Sequence, residues 1–175
     1  NLLVTAGDKI NAKGATLKTR NYSSHDDNAA KLLKKVELTA NNGVTLDNTY
    51  TESSDYTTVY TPGDITVKNG SVMHSPTKAL NLYGANTTIA DSTLVYNGLN
   101  FVHPSGMVNN VTISGTTALN DKTPYADGLK LSTNGNLTID GNSLLKRGFS
   151  ATVDEDTLDM NVTLDKAQNQ DSITL

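Results

Sequence analysis

The chain of 175 residues contains no cysteine and no tryptophan, and only two phenylalanines. Without cysteine it can form neither a disulfide framework nor a thiolate metal site. No stretch approaches the ~18 consecutive apolar residues that a membrane-crossing helix needs. A basic field is also lacking. The net charge is −4, the pI is about 5.2, and arginine occurs only at Arg20 and Arg147. That balance excludes a sequence-independent nucleic-acid binder, which requires positive potential along its surface. There is no GxSxG elbow, no phosphate-binding glycine loop and no zinc-ligand spacing among His25, His74 and His103. An initiator methionine, a signal peptide and an anchor are absent, and the last five residues "DSITL" read as a strand. The expectation is a single domain, residues 1–175, cut from a longer exported surface protein. Hydrophobic residues make up 36% of the chain, which is low for a thick globular core.

What is present is a repeat. Apolar–Thr–apolar triplets are centred on Thr45, Thr66, Thr88, Thr112, Thr138 and Thr163, at spacings between 21 and 26 residues. Two positions before these threonines stand Gly43, Asp64, Asn86, Asn110, Asn136 and Asn161, types that accept turn and left-handed backbone. Ser71, Thr93, Thr117 and Ser143 follow by five, and the apolar pairs Leu80/Leu82, Leu99/Phe101, Leu129/Leu131 and Phe149/Ala151 mark a further strand in each repeat. Each repeat therefore holds about three short strands separated by Gly/Asn turns.

One such repeat cannot stand alone. A fully buried side chain contributes roughly 1.5–3 kcal/mol, whereas ordering each residue costs about 1 kcal/mol or more. Stacking repeats at about 4.8 Å lets strands pair in parallel and merges the apolar columns into one core. The predicted fold is all-β, a right-handed parallel β-helix of about six to seven coils of 21–26 residues. Residues 19–35 interrupt the period with a short helical or loop excursion. Residues 47–64, which hold Tyr50, Tyr56 and Tyr60, read as a long surface loop or an irregular rung.

The candidate sites follow from this frame. Six Asn–X–Ser/Thr sequons occur, at Asn21, Asn69, Asn86, Asn110, Asn136 and Asn161, and the last four arise because a turn Asn precedes the outward Thr of the repeat. Asp140 and Asp165 fall at equivalent motif positions and are expected on neighbouring coils, where they could share a cation. The same file reads Lys68, Ala90 and Ser114 in other coils, which breaks an acidic column and gives an ice-binding face no second threonine file. His74, Tyr96, Asn120 and Lys146 each lie eight residues after a motif threonine, so they are expected to form one mixed strip suited to hydrogen bonding and stacking on a sugar. Lys130, Lys146 and Arg147 could grip an acidic glycan if they share a face.

The motifs "LTIDG", "VTISG" and "ITVKNG", with their Asn and Gly turns, resemble the pectate-lyase-like β-helices of bacterial surface adhesins. The likeness covers about residues 36–175 and is greatest to the adhesive domains of lactobacilli, including serine-rich repeat adhesins. It implies an extracellular, wall-anchored module that holds mucin-type host glycans or acidic plant polysaccharides without cleaving them, and that needs no cofactor or metal. The expected contacts are Tyr96, Tyr125, Lys130, Lys146 and Arg147, with Tyr56 and Tyr60 on the tyrosine-rich segment. The competing expectations are a polysaccharide lyase or hydrolase of the same fold, and a self-associating stalk.

Overall fold

A computed structural model describes residues 1–19, 34–101, 105, 110–120, 129–133, 136–140, 142–147, 162–166 and 173–174. The described chain is an all-β parallel solenoid built from three sheets. Sheet I runs β1 (Leu2–Ala6), β4 (Val36–Ala40), β7 (Thr57–Tyr60), β10 (Leu80–Tyr83), β13 (Leu99–Phe101), β16 (Leu129–Thr133) and β19 (Val162–Lys166). Sheet II runs β2 (Lys9–Lys13), β5 (Gly43–Asp47), β8 (Asp64–Lys68), β11 (Asn86–Ala90), β14 (Asn110–Ser114), β17 (Asn136–Ile139) and β20 (Ile173–Thr174). Sheet III runs β3 (Thr16–Lys18), β6 (Tyr50–Glu52), β9 (Val72–Ser75), β12 (Thr93–Tyr96), β15 (Thr117–Asn120) and β18 (Leu144–Arg147). About three turns, from Val36 to Tyr96, follow one another without a break. That unbroken run is shorter than the six to seven coils expected from the motif count.

The strands exist because apolar residues alternate at period two and each coil repeats the alternation in register. In sheet I the inward file is Val4, Leu38, Val59, Leu82 and Phe101. In sheet II it is Ala12, Leu46, Val67, Ile89, Ile113 and Ile139. In sheet III it is Leu17, Thr51, Met73, Leu94 and Ala118. Leu38, Leu46, Met73, Leu82, Ile89, Leu94 and Phe101 are completely buried, so the three files converge on one continuous core.

The threonine ladder forms as the sequence dictates. Thr45, Thr66, Thr88, Thr112 and Thr138 are successive parallel neighbours. Two features at its ends differ from expectation. A first coil, β1–β3, precedes the repeats and puts Asn11 where later coils have threonine. At the other end, Val162–Lys166 joins sheet I with Thr163 beside Lys130, and Thr174 takes the place next to Thr138. The sixth triplet therefore belongs to a different sheet from the other five. Residues 47–64 are not a long loop, because they supply the regular strands β6 and β7. The expected helical turn and the pair Phe149/Ala151 lie outside the described residues, except for Lys34 and Lys35.

The corner between sheets II and III has a fixed chemistry. Gly14, Asn48, Asp91 and Gly115 all take left-handed φ, between 47° and 60°, and Gly, Asn and Asp accept that region at little cost. The residue after three of them carries a buried hydroxyl: Thr49, Ser92 and Thr116. Each hydroxyl donates to the carbonyl two residues earlier: Thr49 to Asp47 at 3.1 Å, Ser92 to Ala90 and Thr116 to Ser114 at 2.8 Å. Two of them also accept an N–H from the coil before, Ala15 N–H on Thr49 and Ser92 N–H on Thr116, both at 3.4 Å. Backbone groups that a bend would strand are thereby satisfied inside the solenoid.

Candidate functional site

The outer face of sheet I carries an aromatic and amide strip. Alternation in β7 turns Thr58 and Tyr60 outward while Thr57 and Val59 are buried, and Tyr56 stands exposed immediately before the strand. Tyr56 is 43% exposed and Tyr60 41%. Tyr83 stands beside Tyr60 in β10. Between them runs a polar ladder in which the Asn81 amide donates to Thr58 Oγ1 at 3.2 Å and the Asn100 amide donates to Asn81 Oδ1 at 2.9 Å. The Lys78 ammonium lies 5.8 Å from the centre of the Tyr56 ring, within cation–π range. Burial, and secondarily the neighbouring Tyr56 phenol, pushes the Tyr83 hydroxyl above its ordinary pKa, so it remains a neutral donor. Tyr83 was missed from sequence, although "LNLY" shows the alternation that turns it outward once Val59 and Leu82 are paired.

The remaining expected contacts are dispersed. Tyr96 is a correction: its side chain is completely buried and its ring belongs to the core. It pairs with Ser75 and Asn120, whereas His74 pairs with Val95, which in turn pairs with Leu119. The expected His74–Tyr96–Asn120–Lys146 strip is therefore split between two register files of sheet III, one through His74 and Lys146 and the other through Tyr96 and Asn120. Its physical cause is the length of the II–III corner. Thr66 to Val72 spans six residues and Thr88 to Thr93 spans five, yet Val72 and Thr93 are partners. A one-residue slip inverts every face downstream. Lys130 lies in sheet I and Lys146 and Arg147 in sheet III, so no single sheet presents the three cations. Asp165 pairs with Ser132 in sheet I, whereas Asp140 follows β17 of sheet II, so the two are not on neighbouring strands as expected. The Asp140 carboxylate instead accepts from Gly115 N–H at 3.3 Å and Asn142 N–H at 3.2 Å. Tyr125 lies outside the described residues.

A second feature occupies the corner between sheets III and I. A cleft of about 430 Å³ is lined by Lys18, Thr19, Glu52, Ser53, Ser54, His74, Pro76 and Thr77. Lys18, Glu52 and His74 are successive partners on the outer face of sheet III. Lys18 Nζ lies 3.1 Å from Glu52 Oε2, and the Tyr50 hydroxyl donates a short hydrogen bond to the same oxygen. That bond, followed by Lys18, holds the Glu52 carboxyl below its ordinary range despite partial burial. Burial and the same carboxylate push the Tyr50 hydroxyl up to about 12. Glu52 is thus a fixed anion with a cation and a phenol on one oxygen.

Among the described residues no group of three or more His, Cys, Asp or Glu side chains is placed to hold a metal ion. No family model matches the chain, and neither a curated protein nor a solved structure matches it.

Proposed function

We propose that the chain is an adhesive module that holds carbohydrate on the outer face of sheet I, within a right-handed, pectate-lyase-like solenoid displayed outside a bacterial cell. The observation that carries this reading is the pair of exposed rings, Tyr56 just before β7 and Tyr60 at its end, beside the Asn81–Asn100 amide ladder. Tyrosine faces pack on the apolar C–H faces of sugar rings, and neighbouring amides supply donors and acceptors at the hydroxyl rim. A flat sheet suits an extended ligand. Mucin-type host glycans and acidic polysaccharides are the ligand classes. An acidic chain laid along sheet I would reach Lys130 on β16, three strands beyond β7. Weak single contacts become firm attachment when many copies engage one surface.

The test is a glycan and mucin array with Tyr56→Ala and Tyr60→Ala. Each change is expected to weaken retained binding about tenfold or more, the usual worth of an aromatic anchor, with the far-ultraviolet spectrum unchanged. Binding by both variants at the level of the parent chain would remove the reading.

A further inference from the structure

We infer that the corner cleft between sheets III and I is a selective subsite for one neutral sugar residue bearing vicinal hydroxyls. This rests on the carbohydrate-holding reading above and specifies which residue of the glycan sets the selectivity. The argument begins with Glu52. Its polar contacts among the described residues, from Tyr50 and Lys18, both converge on Oε2. Oε1 has no partner among the described residues, and the side chain keeps 27% of its surface accessible. Lys18, at 45%, has one contact for three donor hydrogens. The wall of the cleft thus sets a free carboxylate oxygen beside a partly free ammonium group. Two adjacent sugar hydroxyls need that combination, since each donates to an acceptor and accepts from a donor.

Of the other polar groups of the cleft, His74 Nδ1 is buried with no hydrogen-bond partner among the described residues, whereas the two serines are engaged. Ser54 Oγ accepts from Lys34 N–H at 3.0 Å, and Ser53 Oγ bonds to Asp55 O, Thr57 and Ser75. The serines fix the wall and leave recognition to Glu52 and Lys18, with His74 Nδ1 as a further group open to a sugar hydroxyl. Pro76 gives an apolar floor against which a ring can lie. The cleft volume is within the range that buries a small ligand. Charge decides the class of sugar. A uronate or sialate carboxylate would meet the Glu52 anion at short range, and like charges repel strongly where water is thinned. The turns that form the cleft run directly into Tyr56 and Lys78, so a glycan chain seated in it continues onto the sheet I strip.

The experiment is amide chemical-shift mapping on the full chain with methyl galactoside, glucoside and mannoside as neutral probes and methyl galacturonoside as the acidic one. At least one neutral glycoside is expected to shift the amides of Ser54, His74 and Thr77, and the galacturonoside to bind several-fold more weakly. Glu52→Gln and Lys18→Met should each weaken the neutral probe about ten- to hundredfold, as expected for a lost hydrogen bond to a charged group. Lys18 is exposed, so the second variant keeps the test valid if the first fails to fold. Tyr60→Ala should leave this single-sugar binding intact while weakening oligosaccharides. Shifts absent from the cleft, unchanged affinity in both variants, or tighter binding of the acidic probe would overturn the inference. Such results, with oligosaccharide binding still sensitive to Tyr60→Ala, would leave the adhesive reading standing.

Discussion

Tyr96 shows how much depends on one residue's face. It fills the core completely, yet its hydroxyl has no hydrogen-bond partner among the described residues. Burial drives its pKa far upward, so it stays neutral at any ordinary pH. An unpaired buried hydroxyl costs about 1–3 kcal/mol of desolvation. Tyr96→Phe is therefore expected to stabilise the fold by about 1 kcal/mol or more, read as a rise in the midpoint of thermal or urea unfolding, and to leave glycan binding unaltered. A lower midpoint would show that the hydroxyl has found a partner. Sequence could not place this ring, because a tyrosine between Val95 and Asn97 fits either side of a strand. Tyr56 and Tyr60 were legible, because "DYTTVY" alternates about an unambiguous inward Val59.

At the scale of the element, the threonine strands could be read directly and the corners between them could not. The five triplets of sheet II align because each keeps the same apolar–Thr–apolar core and pairs with an identical neighbour. The corner lengths vary between coils without breaking the stack, since Asn69 and Gly70 both take left-handed φ, at 55° and 76°, and absorb the extra residue. Nothing in "KNGSV" against "ADSTL" announces that difference, so the count from threonine slipped by one in sheet III. The "VTL" at Val162 misled for a related reason. Sheet I strands such as "LNL" and "LKL" share its alternation, and neighbours in space, not the triplet, decide membership. The corners also hold a stability term that a strand-based reading overlooks. Thr116 Oγ1 accepts from Ser92 N–H and donates to Ser114 O. Thr116→Val preserves shape and removes both bonds. It is expected to cost about 1–3 kcal/mol, measured as the shift in urea midpoint, whereas Thr88→Val on the exposed ladder should change it little. Equal effects at the two sites would contradict the role given to the corner hydroxyls.

For the whole molecule, the design is nearly one-dimensional, because among the described residues each strand pairs only with its counterparts in the coil before and the coil after. Stability is then a sum of coil terms and nearest-neighbour terms, and damage should remain local. Leu82 is the sharpest probe. It is fully buried in the sheet I file between Val59 and Phe101, so truncation leaves a void that rigid neighbours cannot close. Leu82→Ala is expected to cost about 2–5 kcal/mol. In native-state hydrogen exchange the loss should be largest at amides of β7, β10 and β13, while the coil containing Val36, Val44 and Leu46 loses less protection. The prediction joins stability to function, since β7 and β10 also carry Tyr60, Tyr83 and Asn81. The variant should therefore weaken glycan retention through a loosened strip even though no ligand-facing atom has changed. Uniform loss of protection from β4 to β14 would mean that the chain opens as one cooperative block. The outer strip would then owe its rigidity to the entire stack, and not to the coils immediately beneath it.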